Sequence, residues 1–244
     1  MSRMFPFITE TWNPLGGVCP HGCIYCWSRR VANRYGIKKY QGSFRLVEKE
    51  LNRKFKPGSF VFVCDMLDLY ANDVPTRFIL KILDVQRENL EVKFLNMTKN
   101  TWRYLWLARE KEFPPNAVLG ATVETTGYRF KIGEDWVEYS EISKAEPPQD
   151  RLRDLVKLRE IVDNPIFISI EPILDFHAGD IEWLPSFTDW IRNIKPWAVA
   201  VGYDNYGHKL PEPPLDKTLK LIEELEKFTK VYRKTLRRAW YERK

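Results

Sequence analysis

The sequence predicts an α/β domain with a parallel sheet, and three observations carry that prediction. Strand-like and helix-like segments alternate at least six times, and parallel neighbours need crossover connections that helices supply. Polar residues recur just past the apolar strand-like runs, where Asp65, Asp68, Lys99, Asn100, Glu124, Glu171 and Asp204 stand. In a parallel sheet or barrel those positions share the carboxyl edge, where ligands bind. The 244 residues, 44% apolar and 30% charged, suffice for one continuous core and exclude collagen-like, low-complexity and wholly disordered classes.

The elements follow from periodicity. FPFIT (5–9) reads as a short strand, followed by a Pro/Gly/Cys loop and a helical stretch over SRRVANRYG. FRLVEKELNRKF spaces Phe44, Val47, Leu51 and Phe55 as one face of a helix. SFVFVCD (59–65) is an apolar, β-rich run entered through Pro57-Gly58, and a helix near 76–89 follows it. VKFLNM (92–97) is the next strand, and Thr101 opens a helix at 101–110. In that helix Trp102, Leu105 and Trp106 recur at helical spacing and are expected in the core.

AVLGATV (117–123) is a further strand. The segment 125–149 then breaks the alternation and is long enough to be a lid, a substrate loop or a small hairpin. DRLRDLVKLREIV (150–162) is helical, PIFISIEPI (165–173) a strand, SFTDWIRNI (186–194) a helix and PWAVAVG (196–202) a strand. LDKTLKLIEELEKF (215–228) is an amphipathic helix, and TKVYRKT reads as a last strand. The organisation expected is a core over 1–214, with its insertion near 125–149, and a segment 215–244 of terminal helix, last strand and basic tail packed on it.

The net charge of +6 is local. Residues 215–244 carry ten Lys/Arg against five Asp/Glu, which leaves the preceding 214 nearly neutral. A basic tail of this kind meets phosphate or is simply solvated. The N-terminus lacks the charged start and apolar run of a signal peptide, and no apolar stretch is long enough to span a bilayer. A reducing, cytoplasmic location and no membrane partner are therefore expected, and in such a location clustered thiols bind metal more often than they pair.

Three of the four cysteines, Cys19, Cys23 and Cys26, lie in WNPLGGVCPHGCIYCWSRR with the spacing C-x3-C-x2-C. Three thiolates so close can bind one metal centre and leave one coordination position open. A structural zinc would want a fourth protein ligand, with His21 the nearest candidate and Cys64 the spare thiol. A [4Fe-4S] cluster takes three cysteines and offers its fourth iron to another molecule.

C-x3-C-x2-C with an aromatic, here Tyr25, just before the last cysteine, placed after a first strand, resembles the signature of the radical S-adenosylmethionine (SAM) superfamily. Within it, TWNPLGGVCPHGCIYCW, VFVCDMLDLY, LNMTKN, ISIEPIL and AVAVGYDN resemble small phage- and archaea-associated radical-SAM proteins of uncertain function, distantly similar to spore photoproduct lyase. The resemblance covers roughly residues 5–240. It implies a partial (β/α)6 TIM-like barrel with the cluster at the carboxyl edge. It also implies that SAM chelates the unique iron and is reductively cleaved to methionine and a 5′-deoxyadenosyl radical, which takes hydrogen from a substrate. An external electron donor is implied as well, and a nucleotide or nucleic acid is the substrate that the lyase likeness suggests.

By the same resemblance Cys19, Cys23 and Cys26 bind the cluster and Tyr25 packs on the adenine. Many members have a Gly-Gly-Glu turn after the second strand. This chain has CDMLD there, so Asp65 or Asp68 is the candidate acceptor for the SAM ammonium. Lys99 is the candidate counter-charge for the methionine carboxylate, and Asn100, Glu124, Ser169 and Glu171 are candidates for ribose or substrate contacts. Cys64 reads as core, with hydrogen donation to a substrate radical as its alternative. His177 and His208 sit in polar loops as exposed or capping residues, able to serve a substrate if their loops fold over the barrel mouth. The rival functions are a non-catalytic iron–sulfur or zinc module, and a nucleic-acid-binding protein that works through the basic C-terminus.

Overall fold

The computed structural model describes residues 4–110, 112–132, 134–177 and 185–242. In chain order the elements are β1 (Glu10–Trp12), β2 (Leu15–Gly16), α1 (Trp27–Arg34), β3 (Arg45–Leu46), α2 (Glu48–Leu51), β4 (Phe60–Val63), α3 (Thr76–Arg87), β5 (Lys93–Thr98) and α4 (Thr101–Glu110). They continue with β6 (Ala117–Thr122), β7 (Arg129–Ile132), β8 (Asp135–Glu138), α5 (Tyr139–Ile142), α6 (Pro148–Arg159), β9 (Ile166–Ile170), α7 (Phe187–Ile194), β10 (Ala198–Val201), α8 (Leu215–Glu226) and β11 (Lys230–Arg233).

Seven strands form one sheet in the order β1-β4-β5-β6-β9-β10-β11, and every neighbouring pair is parallel. Order in space thus follows order along the chain. Such single winding, with crossovers of one hand, lays the helices against one face and curls the sheet into a partial TIM-like barrel. The terminal segment is part of the sheet, since β11 extends it alongside β10.

Side chains alternate between the two faces as the strand period requires. Val61, Val63, Phe94, Leu119, Ile166, Ile168, Val199 and Val201 join the core that Ile79, Ile82, Tyr104, Leu155, Ile191 and Ile222 of the helices complete. Phe62, Leu95, Val118, Phe167, Ala198 and Ala200 form a second cluster on the other face, together with Phe5 and Ile8.

That second cluster corrects the reading of FPFIT as a strand. The first strand begins only at Glu10, because the aromatic pair ahead of it fills the barrel. The Phe5 ring meets Phe167 edge-on at 4.8 Å, and Phe7 packs on Phe60, Trp197 and Tyr232. The stretch FRLVEKELNRKF is likewise no continuous helix. Arg45 and Leu46 pair antiparallel with Gly16 and Leu15, which leaves only Glu48–Leu51 helical, and Phe55 packs edge-on against Trp12 and Phe94.

The segment after β6 is a hairpin, β7–β8, continued by α5. In α4 the buried face is Thr101, Arg103, Tyr104, Leu105 and Leu107, and Trp102 and Trp106 are each 40% exposed. The core expectation therefore holds for Leu105 and fails for both tryptophans, whose positions flank the buried Tyr104 and Leu105. Among the described residues no helix is long and apolar enough to cross a membrane. Arg243 and Lys244 of the basic tail lie outside the described residues.

Candidate active site around the cysteine loop

Cys19, Cys23 and Cys26 lie in the loop between β2 and α1. Gly22 turns that loop with a φ of 56°, a left-handed conformation that costs glycine little. Cys26 is the N-cap of α1, its sulfur accepting the Arg29 N–H at 3.4 Å, so the positive end of the helix faces this thiol. The Ser28 hydroxyl lies 3.1 Å from the same sulfur.

A second layer comes from the insertion. The Ser143 hydroxyl lies 3.0 Å from Cys23 Sγ, the Ile24 N–H donates to Ile142 O at 3.0 Å, and the Lys144 N–H donates to His21 O at 2.7 Å. α5 and the residues after it therefore clamp the cysteine loop through two backbone hydrogen bonds and the Ser143 hydroxyl. Burial pushes the Cys19 thiol up to about 12, while the backbone amides of His21 and Asp68 favour its thiolate. Burial also raises Cys23, and the Lys99 charge and the Ser143 hydroxyl act against it.

The donor set fits an iron–sulfur centre. All three sulfurs are soft ligands in one loop, and each faces N–H or O–H donors of the kind that steady a coordinated thiolate. Among the described residues no three His, Cys, Asp or Glu side chains converge on a point that a single ion would occupy. A zinc site would need a fourth ligand, and among the described residues none joins the three sulfurs. His21 Nε2 is 2.7 Å from Asp68 Oδ2 in a buried pair, and Cys64 lies in the main core.

The other sequence candidates divide into three groups. Tyr25, Lys99 and Glu124 meet one another: the Tyr25 hydroxyl donates to Glu124 Oε1, the Lys99 ammonium reaches the same oxygen at 2.6 Å, and Lys99 Nζ sits 5.3 Å from the centre of the Tyr25 ring. Sequence reasoning missed two partners here. The fully buried Arg151 guanidinium lies 2.9 Å from Glu124 Oε2, and Tyr139 donates to Glu124 at 3.2 Å. Burial by itself would raise the Glu124 carboxyl, but Arg151 and Lys99 overcome it and hold it at about 2.

Asp68 and Asn100 form a second group. The Asp68 carboxylate accepts from His21, the Tyr70 N–H, the Thr98 hydroxyl and the Lys99 N–H. Burial opposes its charge, yet these partners keep its pKa below the usual range. Asn100 donates to Tyr70 O at 2.6 Å and Asn72 Oδ1 at 2.9 Å. Asp65 stands apart, accepting from Asn13 Nδ2 at 2.5 Å, with burial raising its pKa.

Ser169 and Glu171 form the third group, at the carboxyl end of β9. The Ser169 hydroxyl lies 3.4 Å from Glu171 Oε2, and burial pushes the Glu171 carboxyl up to about 7 against the pull of Lys234. A Cβ on Gly202 would come within 3.0 Å of Glu171 Oε1, so glycine there leaves room for the carboxylate. Cys64 is buried at a φ of 55°, and burial raises its thiol.

Beside the thiols opens a cleft of about 360 Å³, bordered by Cys23 and Cys26, by Arg29, Arg30 and Asn33 of α1, and by His208 from the loop after β10. His208 is thus neither a helix cap nor a free surface residue. Its loop brings it to the same cleft as Cys23 and Cys26, and Asp204 accepts its Nδ1 at 3.0 Å. His177 donates its backbone N–H to Thr126 Oγ1. Within the basic tail Arg237 is paired with Glu212 and Arg233 with Glu226.

Comparison with known proteins agrees with this architecture. The chain is similar to solved structures of spore photoproduct lyase. One, a mutant with bound AdoMet and dinucleoside spore photoproduct, matches at a TM-score of 0.51 and 14% identity over 90% of this chain and 61% of its own. Another mutant matches at a TM-score of 0.53 and 12% identity over 88% of this chain and 60% of its own. The chain spans about three fifths of the length of these structures, and at such identities the likeness is one of fold. No curated protein matches the chain. The family model described as protein of unknown function (DUF5131) matches residues 4–135, more than half the chain and the whole cysteine loop. The chain belongs to that family.

Proposed function

We propose that this protein is a radical-SAM enzyme in which Cys19, Cys23 and Cys26 hold a [4Fe-4S] cluster. The observation that carries the reading is the three-thiol loop at the mouth of a parallel partial barrel, each sulfur facing hydrogen-bond donors and a cleft opening beside two of them. When bound, the cluster supplies the electron that splits SAM into methionine and a 5′-deoxyadenosyl radical.

The protein's own residues bind, orient and exclude water. Lys99, whose side chain is 14% exposed, offers a fixed positive charge for the methionine carboxylate of SAM. Its position is set from behind by Glu124, which Arg151 in turn keeps ionised. Tyr25 is the adenine-packing residue, and Asn100, Ser169 and Glu171 serve ribose or substrate. Asp65 or Asp68 is the acceptor for the SAM ammonium: Asp65 has the less occupied carboxylate, and Asp68 lies against Cys19 and also ties the His21 side of the loop to the end of β5. Cys64 belongs to the core.

The substrate is a nucleotide or nucleic acid. One structural neighbour is solved with bound dinucleoside spore photoproduct, and two arginines line the cleft beside the thiols. An external reductant completes the system. The test is anaerobic reconstitution with iron and sulfide, followed by metal analysis and electron paramagnetic resonance. The reading expects about four irons per chain and a reduced-cluster signal that changes on adding SAM. Cys19→Ala, Cys23→Ala and Cys26→Ala should each lose the cluster, and Cys64→Ala should keep it. Retention of iron in all three single variants contradicts the assignment.

A further inference from the structure

The cleft beside the thiols has a second wall that the cluster does not explain. Arg29, Arg30, Asn33 and His208 line it, and among the described lining residues there is no carboxylate. The chain up to residue 214 is nearly neutral, so this concentration of cations is local rather than a share of a general excess.

Arg29, Arg30 and His208 are each held by a contact of their own. Arg29 Nη1 donates to Gly22 O at 3.5 Å, and the Arg30 guanidinium carbon lies 4.9 Å from the centre of the Tyr206 ring. Tyr206 and His208 share a loop that Asp204, 5% exposed, organises by accepting the Tyr206 N–H at 3.2 Å, the His208 N–H at 2.8 Å and His208 Nδ1 at 3.0 Å. With Nδ1 committed to Asp204, Nε2 is the imidazole nitrogen left for a ligand, and it donates to an anion when the ring is protonated. Planar guanidinium groups match the paired oxygens of phosphate.

We propose that Arg29, Arg30, Asn33 and His208 form an anion subsite that takes the phosphate of a phosphate ester, beside the thiols and on the same cleft. That the ester is the substrate rests on the radical-SAM reading; the subsite itself rests on these four residues. The phosphate can come from a free nucleotide or from a nucleic-acid backbone.

The experiment is calorimetric titration of the anaerobically reconstituted full-length protein with thymidine, thymidine 5′-monophosphate and a short single-stranded oligothymidylate at matched ionic strength. The phosphate ligands should bind at least tenfold more tightly than thymidine and weaken as salt rises. The monophosphate binding more tightly assigns a free nucleotide, and the oligonucleotide binding more tightly assigns a backbone. Arg29→Gln with Arg30→Gln should weaken the phosphate ligands tenfold or more. Both residues are exposed, so the double variant should melt with the parent, and His208→Gln gives a second, independent loss.

Equal binding of thymidine and its monophosphate, or unchanged affinity in both variants, overturns the subsite. So does displacement of the phosphate ligand by saturating SAM, because the cations would then serve the cofactor. SAM cleavage measured on the same preparation separates the two ideas. Cleavage without phosphate binding overturns the subsite alone, and phosphate binding without cleavage overturns the enzymatic reading and with it the substrate assignment.

Discussion

Cys23 Sγ and Ser143 Oγ lie 3.0 Å apart, although 120 residues separate them in sequence. The contact joins the cysteine loop to the segment that follows α5, and it puts a hydroxyl donor on a thiolate that the cluster would use. Hydrogen bonds to cluster sulfurs stabilise the more negative, reduced state. Ser143→Ala should therefore retain the cluster and shift its midpoint potential to a more negative value in a redox titration followed by electron paramagnetic resonance. An unchanged potential would mean that the hydroxyl serves only the neighbouring Ala145 N–H, to which it also bonds.

Glu124 and Arg151 are fully buried and 2.9 Å apart. Removing Arg151 leaves the buried Glu124 carboxylate with Lys99 as its remaining counter-charge, so Arg151→Met should cost about 3 kcal/mol in urea unfolding, the low end for breaking a buried pair. Pairing it with Glu124→Gln should recover part of that loss. A double variant less stable than the single one would mean that the carboxylate's bonds to Lys99, Tyr25 and Tyr139 matter more than its lost pair with Arg151.

Glu171 should make stability fall as pH rises. Its carboxyl sits at about 7 in the folded chain, against 4.5 for an ordinary glutamate. Between those values the unfolded state is ionised and the folded state still holds its proton. Stability from this group is thus complete below pH 4.5 and is lost by pH 7, a change of at most about 3 kcal/mol. Glu171→Gln lacks this dependence, so its advantage over the parent should grow across that window and then level off. A constant difference between the two unfolding curves would contradict the burial of the carboxyl.

His21 separates the two metal readings. Its Nε2 is paired with Asp68, so a metal would have to be met by Nδ1. His21→Gln should keep the parent's iron content after reconstitution while losing about 1–3 kcal/mol of stability from the broken buried pair. Loss of metal with the fold intact would restore His21 as a ligand and favour zinc.

Much of this arrangement was legible in the sequence because it is local or periodic. The alternation of apolar runs with amphipathic stretches gave the parallel barrel, and the cysteine spacing gave the loop. Lys99 and Glu124 were found by their position just past strands, and they do meet. Arg151 and Tyr139 were not, because they reach Glu124 through the barrel from segments whose own patterns read as an ordinary helix and an insertion. Ser143 and the Asp204–His208 pair escaped notice for the same reason: nothing in a loop's composition states which distant loop it will touch. Phe5 and Phe7 were misread because alternating apolar residues fit a strand and a barrel plug equally well. Trp102 and Trp106 show the reverse error. Helical spacing identifies residues on one side of a helix, but here the sheet covers the side that holds Tyr104.

The most direct test of the central claim is anaerobic incubation of the reconstituted protein with SAM and a strong reductant, with products separated by chromatography. The account predicts 5′-deoxyadenosine and methionine in equal amounts, both absent from the Cys23→Ala variant. No 5′-deoxyadenosine from a preparation that carries its full complement of iron and sulfide would contradict it.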